Sequence, residues 1–216
     1  MTLLTKLREI VGDSHVLTDA DTGKYDHDWT GKYKATPIAV IRPASTQEVS
    51  DVVKACAASK TAIVPVSGNT SLAGGTYAKD AVMISMERLN DIREIRPDAR
   101  IAIVGAGAVL SSIHDAADAH DLVFPLTFGA KGSAMIGGAL STNAGGSNVV
   151  RYGSTRGLCL GLEVVLPDGQ IMNLMSELHK DNSGYDLKNL MIGAEGTLGL
   201  ITSAVVKLFP KPRAYA

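Results

Sequence analysis

The chain has 216 residues, of which 45% are hydrophobic and 20% charged, and its formal net charge is -1. This length suits one large domain or two small ones with a substantial core, and the charge argues against nucleic acid or an anionic membrane as the main partner. No apolar run is long enough to cross a bilayer and the N-terminus has no signal-peptide pattern, so the sequence predicts a cytoplasmic protein.

The first part of the chain predicts a β-α-β unit. Residues 1–34 form an N-terminal leader with a short helix near residues 3–11, and "PIAVIRP" follows as a strand. "STQEVSDVVKACAASK" is typical of a helix capped by Ser45 and Glu48, and "TAIVPV" is the next strand. Residues 37–66 therefore predict a small parallel pair with a right-handed crossover. The loop "PVSGNTSLAGG" begins at the carboxyl end of the second strand, where such units bind ligands.

The second part predicts a larger, mainly antiparallel lobe. "DAVMISM" and "RIAIVGAG" indicate strands, "VLSSIHDAADAHD" a helix and "LVFPL" a short extended segment. A hairpin turning at residues 167–169 follows, and then a short helix, a glycine-rich turn and a last strand. We predict an α+β fold: a domain over residues 35–212, with lobes of about 35–90 and 91–212 and flanking helices.

Residues 128–157 are irregular, and only "SAMIGGALS" could form a helical turn or two. Fourteen of the 22 glycines lie between residues 129 and 199 without a G-X-Y period. Such density indicates many positions with positive φ or close backbone approach. The two cysteines, Cys56 and Cys159, are far apart and predict buried thiols in a reducing compartment.

The loop "PVSGNTSLAGG" is typical of an anion cradle made of backbone N–H groups. It has no Walker A lysine, and Leu110 stands where a Rossmann fingerprint at residues 104–110 would need its third glycine. In a nest, glycines supply the φ angles, while Asn69, Thr70 and Ser71 could add side-chain donors. A long surface loop is the structural alternative. "KGSAMIGGALSTNAGG" has the same character, with Ser133 able to cap a helix. Two uncharged cradles indicate a dinucleotide.

Other chemistry has little support in the sequence. The five histidines form no metal-ligand pattern, and no G-x-S-x-G motif is present. Glu195, alone among glycines, could be a base, a capping carboxylate or an acceptor for a cofactor, and anchoring is the commoner role for such a residue. We therefore predict no metal site and name no catalytic residue.

Four ordered motifs resemble a known family: "PVSGNTSLAGG", "PLTFGAKGSAMIGGALSTNAGGSNVVRYGSTRG", "GLEVVLPDG" and "DNSGYDLKNLMIGAEGTLGLIT". They are similar to the FAD-linked oxidases of the vanillyl-alcohol oxidase superfamily, in particular the D-2-hydroxyacid dehydrogenase group. The resemblance implies a two-lobed PCMH-type FAD-binding domain with FAD between the lobes. It implies cofactor contacts from Pro65, Val66, Ser67, Gly68, Asn69, Thr70, Ser71, Leu72, Gly75, Pro125, Gly129, Ala130, Ser133, Ile136, Gly137, Gly138, Asn143, Ala144, Gly145, Tyr152, Glu195, Gly196, Gly199 and Ile201.

The chain departs from the family pattern in two ways. Members with covalent flavin carry a histidine in the first loop where Thr70 stands here, so we predict non-covalent FAD. The family also continues into a C-terminal substrate domain, which we expect this chain, ending in "FPKPRAYA", to lack. We therefore expect the isolated chain to bind FAD without turnover, and to self-associate or pair with a separate substrate domain through an exposed apolar face.

The resemblance implies oxidation of a D-2-hydroxy acid of the D-2-hydroxyglutarate, D-lactate or glycolate type to the 2-oxo acid. Lys131 could stabilise negative charge on reduced flavin, or it could be a solvated loop lysine. Two alternatives stay open: the FAD domain of a cell-wall-precursor reductase, and a non-catalytic module that has lost FAD. A flavin absorbance band would separate the last from the others.

Overall fold

The computed structural model describes residues 2–214, and its first sheet is built mostly from the N-terminal third of the chain. The elements are α1 (Leu3–Val11), β1 (Val16–Leu17), β2 (Ala39–Ile41), α2 (Thr46–Ala58), β3 (Ala62–Val66) and β4 (Ala81–Ser85). The strand order is β1-β2-β4-β3, in which β2, β4 and β3 are parallel and β1 is antiparallel to β2. The loop 67–80 leaves β3 at its carboxyl end.

The prediction that β2 and β3 form a parallel pair is wrong. The two strands are parallel, but β4 lies between them and pairs with both. All five residues of β4 are buried, whereas β3 has one exposed and three half-buried residues. The most apolar strand therefore occupies the centre of the sheet, because only there are both of its faces and both of its edges covered.

The second sheet is antiparallel. Its part of the chain contains β5 (Ile92–Arg96), β6 (Ile101–Gly105), α3 (Leu110–Asp118), β7 (Leu122–Val123), α4 (Ile136–Ser141), α5 (Val149–Tyr152), α6 (Thr155–Leu158), β8 (Cys159–Val165), β9 (Ile171–Leu174), α7 (Leu187–Met191), β10 (Leu200–Lys207) and β11 (Phe209–Pro210). The order is β5-β6-β10-β8-β9, and β7 pairs with β11 apart from it. The predicted α+β fold with a parallel lobe and a larger antiparallel lobe is confirmed.

The sequence did not predict β5, α5 and α6. β5 reads IREIR and lies at the edge of its sheet, so charged residues face solvent and hide the strand pattern. The helices α5 and α6 have four residues each, which is too short for a period of 3.6 residues to show. The predicted hairpin is confirmed: β8 and β9 flank a turn in which Gly169 has φ +84°.

Helix α2 joins the two lobes. Ser45 caps it by accepting a hydrogen bond from the N–H of Glu48 (3.1 Å), as predicted. On its other face, Ser50 Oγ donates to Gly169 O at the tip of the β8–β9 hairpin (2.6 Å). Thr46 Oγ1 donates to Glu163 Oε1 on β8 (2.5 Å). These bonds stand beside a hydrophobic core that runs continuously from α2 into the second sheet.

Both cysteines are buried and neither forms a disulfide, as the sequence predicts. Burial raises the pKa of Cys56 to about 11 and that of Cys159 to about 12. The thiols are therefore protonated at neutral pH and act as small core residues.

Candidate functional site

A cavity of about 470 Å³ opens between the lobes, a size typical of small-molecule sites. Its walls come from the loop after β3, from the α4 region and from the turn before β10. The cavity is lined by these predicted residues: Pro65, Ser67, Gly68, Asn69, Thr70, Ser71, Gly75, Gly137, Gly138, Ala144, Gly145, Glu195, Gly196, Gly199 and Ile201.

The first wall is a row of unused backbone donors. Across the part of the chain that the structure describes, no acceptor receives a hydrogen bond from the backbone N–H groups of residues 67–72. Unpaired N–H groups are uncommon in folded proteins unless water or a ligand receives them. Residues 67–72 therefore carry a group of donors suited to an anion, without any positively charged side chain.

The side chain of Asn69 does not contribute a free donor, contrary to the sequence interpretation. Its Nδ2 donates to His27 O (2.8 Å) in the leader, and its Oδ1 accepts from Thr76 Oγ1 (2.8 Å). Asn69 has φ +49°, a left-handed conformation that asparagine tolerates better than most residues. The amide thus fixes the loop, and its backbone N–H remains available.

The second wall touches the first directly. A Cβ atom on Gly68 would lie 2.1 Å from Ser133 O, and one on Gly138 would lie 3.1 Å from Ser67 Cβ. Glycine at position 68 therefore lets the two glycine-rich segments pack backbone to backbone. Ser133 does not cap α4, contrary to the prediction: the helix begins after Met135 without a side-chain cap. Ser133 is two residues too early and contributes its carbonyl to the contact with Gly68.

The third wall is the turn around Glu195. Glu195 has φ +51°, and its N–H donates to Ser141 O (2.9 Å). Its carboxylate lies toward Gly75, whose added Cβ would be 3.6 Å from Oε2. Among the residues that line the cavity, Glu195 is the one with a charge, and its carboxylate has no hydrogen-bond partner within residues 2–214. It can accept hydrogen bonds from hydroxyl groups of a ligand.

Nine predicted residues do not line the cavity. Val66 is buried in β3 and Ile136 in the core, whereas Leu72 and Gly129 are exposed. Several of the others support the walls from behind by holding neighbouring backbone or rings. Pro125 O accepts from Asn148 Nδ2, Ala130 O accepts from the N–H groups of Ser133 and Ala134, Asn143 Oδ1 accepts from the Arg156 N–H, and Tyr152 stacks edge-on against Phe209.

The structure adds lining residues that the sequence did not indicate. Most of them neighbour predicted positions. The motifs therefore predicted which segments form the cavity, but not which residues of those segments face it. Met86 is different: it follows β4, which the sequence did not place beside β3. The added residues are Thr76, Met86, Phe128, Ala134, Met135, Ala139, Ser141, Thr142 and Leu200.

The side chains and backbone groups that line the cavity are suited to binding a ligand. Its lining offers N–H groups, hydroxyls, small and large apolar residues and one carboxylate, and no histidine, cysteine, tyrosine or lysine. Lys131 is exposed and does not line it. Within the described residues, no group of three or more His, Cys, Asp or Glu side chains could hold a metal ion, and no helix there is long and apolar enough to span a bilayer.

Comparison with known proteins agrees with a ligand-binding role for this cavity. The profile of the FAD binding domain family matches residues 37–175. The chain is 39% identical over 215 residues to the D-2-hydroxyglutarate–pyruvate transhydrogenase of Saccharomyces cerevisiae, covering 98% of this chain and 43% of that protein. It is 42% identical over 194 residues to a D-2-hydroxyglutarate dehydrogenase of Xanthomonas citri, covering 89% of this chain and 41% of that protein. The chain thus spans less than half of these relatives.

A solved structure of alkyldihydroxyacetonephosphate synthase has the same fold. It superposes with a TM-score of 0.87 over 98% of this chain and 41% of its own, at 21% sequence identity. At that identity the likeness shows the fold alone. The fold of this chain therefore also occurs as part of a longer chain.

Proposed function

Because the chain belongs to the FAD binding domain family, we propose that residues 67–72 hold the pyrophosphate of a non-covalently bound FAD. We further propose that the chain is the cofactor-binding part of an enzyme that oxidises a D-2-hydroxy acid to the 2-oxo acid. The observation that carries the proposal is the run of six backbone N–H groups without an acceptor within the described residues, five of which (residues 67–71) belong to residues that line the cavity between the lobes.

The residues present fit a dinucleotide. Backbone N–H groups in a nest stabilise a pyrophosphate without the desolvation cost of burying lysine or arginine. Gly68 and Gly138 bring the two walls close enough for both to contact one ligand. Glu195 can accept hydrogen bonds from a ribose or ribityl hydroxyl, and the apolar side chains of Met86, Phe128 and Met135 suit a flat ring system.

The lining also supports non-covalent binding. A covalent flavin link needs a nucleophilic side chain such as histidine, cysteine or tyrosine, and the cavity lining has none. Thr70 occupies the position at which the resemblance places the linking histidine of covalent members. The flavin should therefore leave the chain when the fold is lost.

The chain's own part in the reaction is to bind, orient and shield. The chemistry that FAD supplies when bound is acceptance of a hydride from the carbon that bears the hydroxyl group. The walls described above fix the cofactor between the lobes and exclude water from one side of it. The cavity lining has no histidine, lysine, cysteine or tyrosine to accept the proton of the substrate hydroxyl, and we assign Glu195 to a cofactor hydroxyl, so we propose that the base belongs to a part of the enzyme beyond this domain.

The substrate class comes from the relatives. The yeast and Xanthomonas proteins are named for D-2-hydroxyglutarate, and this chain corresponds to less than half of each. We propose a D-2-hydroxy acid with a second carboxylate as the substrate of the whole enzyme. Recognition of that carboxylate needs cationic side chains, which the cavity lacks, so the substrate contacts belong to a part of the enzyme beyond this domain.

One experiment tests the cofactor and its attachment. The purified chain is incubated with FAD, freed of excess by gel filtration, and its visible spectrum recorded before and after acid precipitation. We expect a flavin band that moves entirely into the supernatant. Colour retained on the precipitate would contradict non-covalent binding, and no band at any FAD concentration would contradict FAD binding itself.

A second measurement tests the activity. Anaerobic D-2-hydroxyglutarate should bleach the flavin of the longer protein and leave that of the isolated chain unchanged. Bleaching of the isolated chain would contradict the assignment of the substrate contacts to another part. D-lactate and L-2-hydroxyglutarate serve as controls for the second carboxylate and for chirality.

A further inference from the structure

A tight turn in the N-terminal part of the chain (residues 26–35, the leader turn) lies against the loop of residues 67–75 (the cofactor loop). His27 pairs with Lys34 in an antiparallel bridge, and the N–H of Ala35 donates to Asp26 O (2.8 Å). Asp28 is buried at the centre of the turn, although aspartate is rarely buried without partners. Its position indicates that the turn has a fixed shape.

Asp28 holds that shape through several hydrogen bonds. Its carboxylate accepts from Thr30 Oγ1 (2.9 and 2.8 Å) and from the N–H of Lys32 (3.1 Å). Burial would raise the pKa of Asp28, but the bonds from Thr30 and from the N–H groups of Tyr33 and Lys32 outweigh it and hold the pKa below its usual value. The carboxylate is therefore ionised at neutral pH, and charge-assisted bonds of this kind are the stronger ones.

The leader turn contacts the cofactor loop at two points. His27 O accepts the Nδ2 of Asn69, which also links to Thr76 across the loop. The Tyr33 ring packs on Gly74: an added Cβ there would lie 2.6 Å from its Cγ, and Gly74 has φ +72°. One contact is near the beginning of the loop and the other near its end.

These contacts matter because the loop has little else to fix it. Its N–H groups from residue 67 to residue 72 bond to no acceptor in the described part of the chain. The bonds from Thr76 to Asn69 and from the Ala73 N–H to Ser71 Oγ leave the backbone of residues 67–72 only partly fixed. Unbound, such a loop would sample many conformations, and binding would cost the entropy of selecting one. An external support removes much of that cost.

We propose that the leader turn positions the cofactor loop, with Tyr33 and Asn69 as its positioning residues. The inference rests on the proposed function, since it assigns to the leader a part in FAD affinity. Tyr33 does not line the cavity, so it acts through Gly74 and not through the ligand. The turn thus prepares a binding site that it does not touch.

The test compares two tyrosines. Tyr33 and Tyr77 are both 47% exposed, and neither lines the cavity. If Tyr33→Ala leaves the loop in its binding conformation about a tenth of the time, the apparent Kd for FAD rises about tenfold. Tyr33→Phe, which keeps the ring, and Tyr77→Ala should both bind FAD as the unmodified chain does. The measurement is a fluorescence titration of FAD, with thermal unfolding of each apo chain recorded beside it.

A double-mutant cycle that combines Tyr33→Ala with Asn69→Gly distinguishes this role from a general folding defect. Asn69→Gly keeps the left-handed backbone accessible and deletes both amide bonds. If both residues act through one support, Tyr33→Ala should weaken FAD binding much less in the Asn69→Gly chain than in the unmodified one. Three outcomes would overturn this inference and leave the proposed function standing. They are an unchanged Kd for Tyr33→Ala, an equal loss of FAD affinity in Tyr77→Ala, and fully independent effects of the Tyr33 and Asn69 substitutions. A chain that binds no FAD at all would overturn the proposed function, and this inference with it.

Discussion

The two glycine-rich segments of this protein look alike in sequence and differ in their hydrogen bonds. In the cofactor loop, the N–H groups of residues 67–72 have no acceptor within the described chain. In the second segment, most N–H groups donate to nearby carbonyls, such as those of Ser133 and Ala134 to Ala130 O (2.9 and 2.8 Å) and that of Thr142 to Gly138 O (3.1 Å). Glycine content alone therefore does not mark an anion site.

This difference in hydrogen bonding indicates that the two segments have different functions. The first segment offers donors, so we expect ligand binding to respond most to changes there. The second segment has used its donors to fold upon itself, so it serves as the surface against which the first is held. Changes in the second segment should lower stability more than affinity. Three substitutions test this contrast.

The largest expected effect comes from adding a charge to the first segment. Two like charges about 4 Å apart repel by about 4 kcal/mol at the effective dielectric of a protein surface, so Thr70→Glu should weaken FAD binding by about a hundredfold or more. Tyr77→Glu is the control, since Tyr77 lies outside residues 67–72, is 47% exposed and does not line the cavity. Titration with FAD at two salt concentrations measures both. Equal affinities of the two variants would place the pyrophosphate elsewhere.

A smaller effect is expected where the segments touch. In Gly68→Ala the new methyl group would lie 2.1 Å from Ser133 O, so the two walls must separate. Such overpacking costs typically about 1–3 kcal/mol, and we expect FAD affinity to fall together with stability. Gly132→Ala is the control, because no atom lies within 4 Å of its added Cβ. Denaturant unfolding with and without FAD gives both quantities, and an intact affinity in Gly68→Ala would refute the need for contact.

The smallest expected effect on affinity belongs to the second segment. Asn143 has φ +45°, and its Oδ1 accepts from the Arg156 N–H (3.0 Å). Asn143→Ala should lower the free energy of unfolding by about 1–2 kcal/mol through backbone strain and the lost bond. The Kd for FAD should change less than about threefold, since stability effects of this size need not reach the ligand. If Asn143→Ala lost more FAD affinity than Gly68→Ala, the proposed difference between the two segments would be wrong.

The sequence predicted elements whose signal is local. The cap at Ser45, the apolar face of α2 and the turn at residues 167–169 each depend on neighbours within a few positions, and all three are confirmed. The composition of the loop and the strand before it likewise predicted a binding loop, and that loop does line the cavity, while its role in holding FAD stays a prediction. These features require no knowledge of distant contacts.

The sequence did not predict features that depend on pairing over long separations. The insertion of β4 between β2 and β3 is decided by which strand gains most from burial on all sides, a comparison across the whole sheet. Met86 enters the cavity only because of that insertion. The engagement of Asn69 by His27 O joins residues 42 apart in the chain, and no pattern around Asn69 indicates it.

The reliance of the cofactor loop on backbone donors also bears on how freely its sequence can vary. Every residue except proline carries a backbone N–H, so uncharged replacements other than proline at Thr70 and Ser71 should change FAD affinity little in a mutational scan. Gly68, Asn69 and Gly74 should tolerate little, because each is fixed by its own close contact or its own φ angle. The positions that tolerate substitution would thus reflect the backbone conformation of the loop. The bound ligand would affect the result only where a substitution adds a negative charge.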